Sequence, residues 1–176
     1  MNKADLRKSI LKIRGSLDKE YVIKASDDVC EKFILRYPNK DLCVLAYSSI
    51  RNEINTEKIL SYYEEVYLPV TEGDTISFYK YTGKLKEGKF GVGEPEQKIP
   101  LTKKPDVIIV PGVGFDKKFN RVGYGKGFYD GFLSNLSDVP KIAFAYDFQV
   151  VEKIDDVYSS DIKMNGIISD KDDFYE

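Results

Sequence analysis

The sequence has no histidine and no tryptophan, only two cysteines and two methionines, and no apolar run long enough to cross a bilayer. Each shortage removes a class of function. Without histidine there is no Ser-His-Asp or Cys-His catalysis and no imidazole-ligated metal. Acids and bases must then be carboxylates, lysine or tyrosine. Any metal must be held by oxygen, which favours Mg²⁺. Cys30 and Cys43 have neither CxxC nor zinc-type spacing and read as two buried thiols. The longest apolar run, around Val107 to Phe115, is broken by Pro111 and falls far short of a membrane span. The opening residues MNKADLRKSILKIR lack an apolar signal core, so a cytoplasmic location is expected. An excess of one charge is missing too. With 27 basic and 29 acidic side chains the net charge is −2, which gives no general attraction for nucleic acid or a membrane surface. A basic site has to be local. Small molecules are the expected partners, with the protein acting as a monomer.

What is present suits a globular protein: 176 residues, 42% hydrophobic and 32% charged, expected to form a single domain over 1–176. Leu6, Ile10 and Ile13 recur at helical spacing and predict a helix from about Lys3 to Arg14. Asp18 is placed to cap a second helix, with Val22, Ala25, Val29 and Phe33 on one stripe and an end near Tyr37-Pro38. LCVLAYS predicts a buried strand. INTEKILSYYEE predicts a helix capped by Asn55 or Thr56. VYLPV and TISFYKY predict strands with EGD as the turn between them. Lys80 to Leu101 is polar and glycine-punctuated, a surface excursion that could serve as a lid or be an ordinary hairpin. PDVIIVPG is the clearest buried strand. FYDGFLSNL predicts a helix, and KIAFAYD and NGIIS the last strands. Strands alternating with helices predict an α/β fold, a three-layer αβα arrangement around a mostly parallel central sheet. Ligands gather at the carboxyl ends of strands in such sheets.

The stretch PGVGFDKKFNRVGYGKGFYDGF, Pro111 to Phe132, follows the strongest predicted strand. It is neither a Walker A loop nor GxGxxG. Gly123, Gly125 and Gly127 would let backbone N–H groups approach a phosphate, Arg121 and Lys126 add positive charge, and the loop opens a helix. The alternative is a strand-to-helix turn with solvated basic residues. Asp130 in the first helical turn is either a dipole-favourable acid or a Mg²⁺ ligand. Asp116 reads as a turn residue. On the first helix Lys3, Arg7 and Arg14 share a stripe bordering the buried face, while Lys8 and Lys12 point to solvent. That stripe is either a plain solvated surface or a reach toward a bound anion. Glu53 stands in a loop near the end of a strand. Tyr124 and Tyr129 flank the glycines and could stack on a flat ligand.

The string VPGVGFDKKFNRVGYGKGFYDGFL resembles the signature of the 5-formyltetrahydrofolate cyclo-ligase (methenyltetrahydrofolate synthetase) family. KADLRKSILKIRGSL, NEINT, GVGEP, AYDFQ and SSDIKMNGIIS resemble further family segments in the same order. The resemblance implies ATP- and Mg²⁺-dependent conversion of 5-formyltetrahydrofolate to 5,10-methenyltetrahydrofolate, with release of ADP and phosphate. It also implies roles. Lys3, Arg7, Arg121, Gly123, Gly125, Lys126, Gly127 and Tyr129 would hold ATP. Ser48, Glu53, Tyr124 and Phe128 would hold the folate, and Asp130 and Asp161 the Mg²⁺. Lys126, Arg121 and Tyr124 would act in catalysis. The chain departs from the pattern at Asn120 (usually Gly), Phe128 (usually Tyr), and Ser160 and Asn165 (usually His and Asp around Asp161). Two other classes stay open: a non-catalytic folate- or nucleotide-binding relative, and a sugar-phosphate isomerase-like α/β enzyme sharing the phosphate loop.

Overall fold

The computed structural model describes all 176 residues. In chain order the elements are α1 (Lys3–Gly15), α2 (Lys19–Arg36), β1 (Cys43–Leu45), α3 (Glu57–Tyr62), β2 (Glu65–Glu72), β3 (Thr75–Lys80), β4 (Leu85–Glu87), β5 (Gly93–Pro95), β6 (Val107–Val110), β7 (Gly114–Asp116), β8 (Arg121–Val122), α4 (Phe128–Leu133), β9 (Lys141–Ala145), β10 (Val150–Val151), β11 (Gly166–Ser169) and β12 (Asp173–Tyr175).

Seven strands form the central sheet in the order β12-β11-β9-β6-β1-β2-β3. The five inner strands are parallel, and β3 and β12 pair antiparallel at the two edges. The inner strands β1, β6 and β9 are buried along their whole length, as strands covered on both faces require. On one face α2 and α3 bring Ala25, Val29, Phe33 and Ile59 against Val44, Val66 and Ile109. On the other, α4 brings Leu133, with Phe132 and Tyr129, against Ile108, Val110 and Phe78. The expected mostly parallel sheet with helices on both faces is therefore observed. No helix is long and apolar enough to cross a membrane.

Several local expectations are corrected. The glycine stretch is not a loop throughout: β7 and β8 form a hairpin within it, and β10 completes a separate three-stranded sheet. Strands of two or three residues are too short to show alternation in sequence. Their hub is Asp116, fully buried, which accepts hydrogen bonds from Lys118 N, Asn120 N, Asn120 Nδ2 and Ile154 N. Asp116 is thus the turn residue expected. NGIIS is not the last strand, since β12 follows it. The predicted inward face of α1 is also wrong at one position. Leu6 and Ile10 pack on Val113, Val122 and Ile154, but Ile13 is 41% exposed and Arg14 is buried in its place. Ile10 and Arg14 are four residues apart, so the helix continues the same face with an arginine. At α3 the side chain that caps is Asn55, whose Oδ1 accepts from Glu57 N, while Thr56 Oγ1 donates to Tyr47 O. The excursion after β3 carries the hairpin β4–β5 and bridges back to the sheet at Tyr79 and Pro100.

Candidate active site

A cleft of about 620 Å³ opens over the carboxyl ends of β1 and β6. It is where a parallel sheet leaves room for a ligand. Six separate segments line it: α1, the loop after β1, the β2–β3 edge, the excursion, the glycine stretch and the loop holding Asp161. The fourteen residues to which the resemblance gives a role all reach it: Lys3, Arg7, Ser48, Glu53, Arg121, Gly123, Tyr124, Gly125, Lys126, Gly127, Phe128, Tyr129, Asp130 and Asp161; Arg14 and Asp116 do not line it.

At one end four cations, Lys3, Arg7, Arg121 and Lys126, face two carboxylates, Asp130 and Asp161. Arg7 Nε donates to Gly123 O at 2.8 Å, which ties α1 to the glycine stretch. Arg121 Nη1 donates to Pro111 O at 3.1 Å, Nη2 lies 3.5 Å from Asp130 Oδ1, and Nε is buried without a partner. At Gly123 a Cβ would stand 2.8 Å from Arg121 Nη1, so a side chain there would displace the guanidinium. Gly125 and Gly127 have φ of 96° and 71°, conformations that favour glycine. Lys126 is exposed, its ammonium 4.4 Å from the centre of the Phe90 ring. The positive field comes from these side chains. The expected helix contribution is small, since α4 has only six residues.

Lys3 Nζ lies 2.5 Å from Asp161 Oδ2, which also accepts from Tyr158 N at 2.8 Å. Burial by itself would raise the Asp161 pKa. The hydrogen bonds from Lys3 and Tyr158, with the charges of Lys3 and Arg121, outweigh it and hold the carboxyl below the usual range. No cluster of three or more potential metal ligands exists. The two carboxylates nonetheless suit the way Mg²⁺ is usually held, by one or two carboxylates plus phosphate oxygens and water rather than by an all-protein cage.

The other end is built differently. Glu53 is buried; its Oε1 accepts from Tyr124 OH at 2.7 Å and its Oε2 from Ile50 N at 2.9 Å. Arg14 Nη2 donates to Tyr124 OH at 2.5 Å and lies 4.0 Å from Glu53 Oε1. Burial pushes the Glu53 carboxyl up; the bonds from Tyr124 and Ile50 and the charges of Arg14 and Arg51 pull it partly back. Burial, and then the Glu53 charge, pushes the Tyr124 phenol above its ordinary value. Burial does the same to Tyr129. The chain reverses just before Glu53: Glu53 N donates to Ile50 O at 2.9 Å, and the two central residues, Arg51 and Asn52, have φ of 47° and 59°. Left-handed backbone at such residues costs about 1–3 kcal/mol and persists only where the surroundings enforce it. They do: Arg14 Nε donates to Arg51 O at 3.0 Å, Asn52 Nδ2 to Arg14 O at 2.9 Å, and Tyr146 OH to Asn52 O at 2.8 Å. Ser48 lies under the excursion, so close that a Cβ on Gly93 would stand 2.9 Å from its Oγ.

Residues 1–170 match the model of the 5-formyltetrahydrofolate cyclo-ligase family. The chain belongs to this family. A 5-formyltetrahydrofolate cyclo-ligase from Haemophilus influenzae is 31% identical over 165 residues, covering 85% of this chain and 88% of that protein. The NMR structure of Aquifex aeolicus 5,10-methenyltetrahydrofolate synthetase matches with a TM-score of 0.84 at 32% identity, over 99% of this chain and 93% of that one. The structure of the Mycoplasma pneumoniae 5,10-methenyltetrahydrofolate synthetase matches with a TM-score of 0.77 at 26% identity, over 97% and 99%.

Within this cyclo-ligase fold the departures from the family pattern fall mostly outside the cleft. Asn165 Oδ1 accepts from Lys141 N at 2.9 Å, a packing role, and neither it nor Ser160 lines the site. The left-handed residue of the β7–β8 turn is Phe119, not Asn120. Asn120 instead donates through Nδ2 to both Asp116 oxygens. Sequence reasoning missed the place of Arg14 in the site, although its four-residue spacing from Ile10 was visible. It also missed Phe90, Val92 and Glu94, which the excursion brings to the cleft and which carry no local signal beyond the GVGEP string.

Proposed function

We propose that this chain uses ATP to cyclise 5-formyltetrahydrofolate to 5,10-methenyltetrahydrofolate, releasing ADP and phosphate. The supporting observation is the convergence of fourteen residues, spread from Lys3 to Asp161, on one cleft with a cationic end and a preset carboxylate–tyrosine end. A formamide carbon is a poor electrophile. Transfer of the γ-phosphoryl group to the formyl oxygen turns that oxygen into a leaving group. The neighbouring nitrogen then attacks the carbon, loses its proton, and departure of phosphate leaves the methenyl bridge. Phosphoryl transfer of this kind needs positioning and charge neutralisation more than a strong base, so a site without histidine can perform it.

In this assignment Lys3, Arg7, Arg121 and the backbone of Gly123, Gly125 and Gly127 hold the phosphates. Lys126, whose contact in the structure is the Phe90 ring, is placed to stabilise the transferring group. Tyr129 packs under the Arg121 guanidinium, 5.6 Å from ring centre to Cζ. Ser48, Glu53, Tyr124 and Phe128 hold the pterin, with Tyr124 fixed against Glu53. Asp130 and Asp161 would hold Mg²⁺, which when bound neutralises charge between phosphate oxygens. The two free, buried thiols Cys30 and Cys43 suit the reducing cytoplasm. A light-scattering mass near 20.1 kDa would agree with a working monomer, and twice that would refute it.

The assay mixes protein, Mg-ATP and 5-formyltetrahydrofolate and follows the methenyl chromophore together with ADP. Product that forms only with ATP is the expected result. Folate binding without turnover would make the chain a non-catalytic relative, and turnover of a sugar phosphate without ATP would replace the assignment altogether.

A further inference from the structure

Arg14 stands out as a charge buried without an obvious reason. It sits on the inward face of α1, four residues after Ile10, where a leucine would pack at less cost. It is 1% exposed, and Nη1 has no hydrogen-bond partner. The space around it, shared with Tyr47, Glu53 and Gln149, has no room for a water molecule. Its other nitrogens are committed to the ligand cleft's wall. Nε fixes the carbonyl of left-handed Arg51, and Nη2 fixes the Tyr124 hydroxyl. Its own carbonyl holds Asn52, the second left-handed residue. One side chain thus braces both the strained turn that presents Glu53 and the hydroxyl that Glu53 accepts.

We infer that Arg14 is a positioning residue for the folate half of the site: its guanidinium sets Glu53 and Tyr124 as one preformed hydrogen-bonding pair facing the cleft. The inference rests on the assignment of Glu53 and Tyr124 to the pterin. A carboxylate fixed in this way offers acceptors to the amino and ring N–H donors of a pterin, and fixing it beforehand removes an ordering cost from binding. Six groups face Glu53: Arg14 from α1, Arg51 from its own turn, Tyr47 beyond β1, Tyr146 beyond β9, and Tyr124 and Tyr129 from the glycine stretch. Arg14 and Arg51 are the cations among them, and Arg51 is exposed.

The test compares wild type, Arg14→Lys and Arg14→Gln. Steady-state kinetics give KM for each substrate, and calorimetry gives the Kd for 5-formyltetrahydrofolate without ATP between about pH 5.5 and 8.5. Arg14→Gln should weaken folate binding about tenfold or more and change the KM for Mg-ATP less than about twofold, with Arg14→Lys between. The acid limb of the folate-binding profile should move to higher pH, because Glu53 loses the buried cation that favours its ionised form. Equal loss for both substrates, or an unmoved acid limb, would overturn the inference. If the Arg14 variants do not fold, Tyr124→Phe cuts the same link at the hydroxyl and should shift the acid limb the same way; an unmoved limb there overturns it equally. Wild type that binds folate but does not turn over would sink the cyclisation assignment and leave the Arg14 result readable by calorimetry. Wild type that binds no folate would end both.

Discussion

The two ends of the cleft hold charge in opposite ways. At the phosphate end the cations are answered by carboxylates, Lys3 by Asp161 and Arg121 by Asp130 at a loose 3.5 Å; the proposed Mg²⁺ would compete for these carboxylates and the phosphates for these cations. Lys126 sits exposed over an aromatic ring. At the other end Glu53 and Arg14 are 7% and 1% exposed, and their bonds run to Tyr124 and to backbone. One end is arranged to exchange partners when ligand enters, the other to keep them. Burial does not divide them, since the Arg121 side chain is 7% exposed, the same as Glu53. The partners do: Arg14 and Glu53 bond to Tyr124 and to backbone, whereas Lys3 and Arg121 count among their partners side-chain carboxylates, which a ligand can replace without disturbing the backbone.

The comparison can be broken from either end. The largest effect is expected at Lys126. Lys126→Ala should lower kcat about 10²- to 10³-fold, the scale of losing one charge stabiliser of a transition state, while folate Kd stays near wild type. A parallel loss of folate binding would erase the division between the ends. Gly123→Ala comes next. The new Cβ, 2.8 Å from Arg121 Nη1, should push the guanidinium off Pro111 O and cost about tenfold in kcat/KM for ATP, with little change in the melting temperature. At the preset end, Arg51→Gly relieves a left-handed residue at an exposed position. Denaturant titration should show a gain of about 0.5–1 kcal/mol in stability, whereas a loss would mean the turn is unstrained.

The smallest effect is expected at Asp161. Its folded pKa is depressed, so the ion pair contributes stability above the ordinary carboxylate range and loses it as pH falls through the folded value. Unfolding free energies from urea titration of wild type and Asp161→Asn should differ by about a few tenths of a kcal/mol at neutral pH and converge as pH falls below the ordinary carboxylate range, solvent screening keeping the gap small. A gap that persists in acid would show that the carboxylate matters for packing and not for its charge.

Much of the fold is legible in the amino-acid sequence. The buried strand Val107–Val110, the α2 stripe and its Asp18 cap, and the β2–β3 hairpin all carry strong local periodicity, and they form as expected. The residues of the site are legible because most of the phosphate end is one continuous stretch, Arg121 to Asp130. The β7–β8 hairpin and β12 are not, because two- and three-residue strands are fixed by what they pair with.

The sequence alone determined which chemistry is open: no imidazole, hence oxygen ligands for any metal, glycines spaced for backbone approach, and cations beside them. Tertiary structure alone decided which cation does what. Lys3, Arg7 and Arg14 share one helix, yet the first meets Asp161 158 residues away, the second meets Gly123 116 away, and the third vanishes into the wall against Tyr124 110 away. Helical periodicity can say that three side chains share a face. Only the packing of α1 against β7 and β8 turns that face so that two of them meet the cleft and the third braces it.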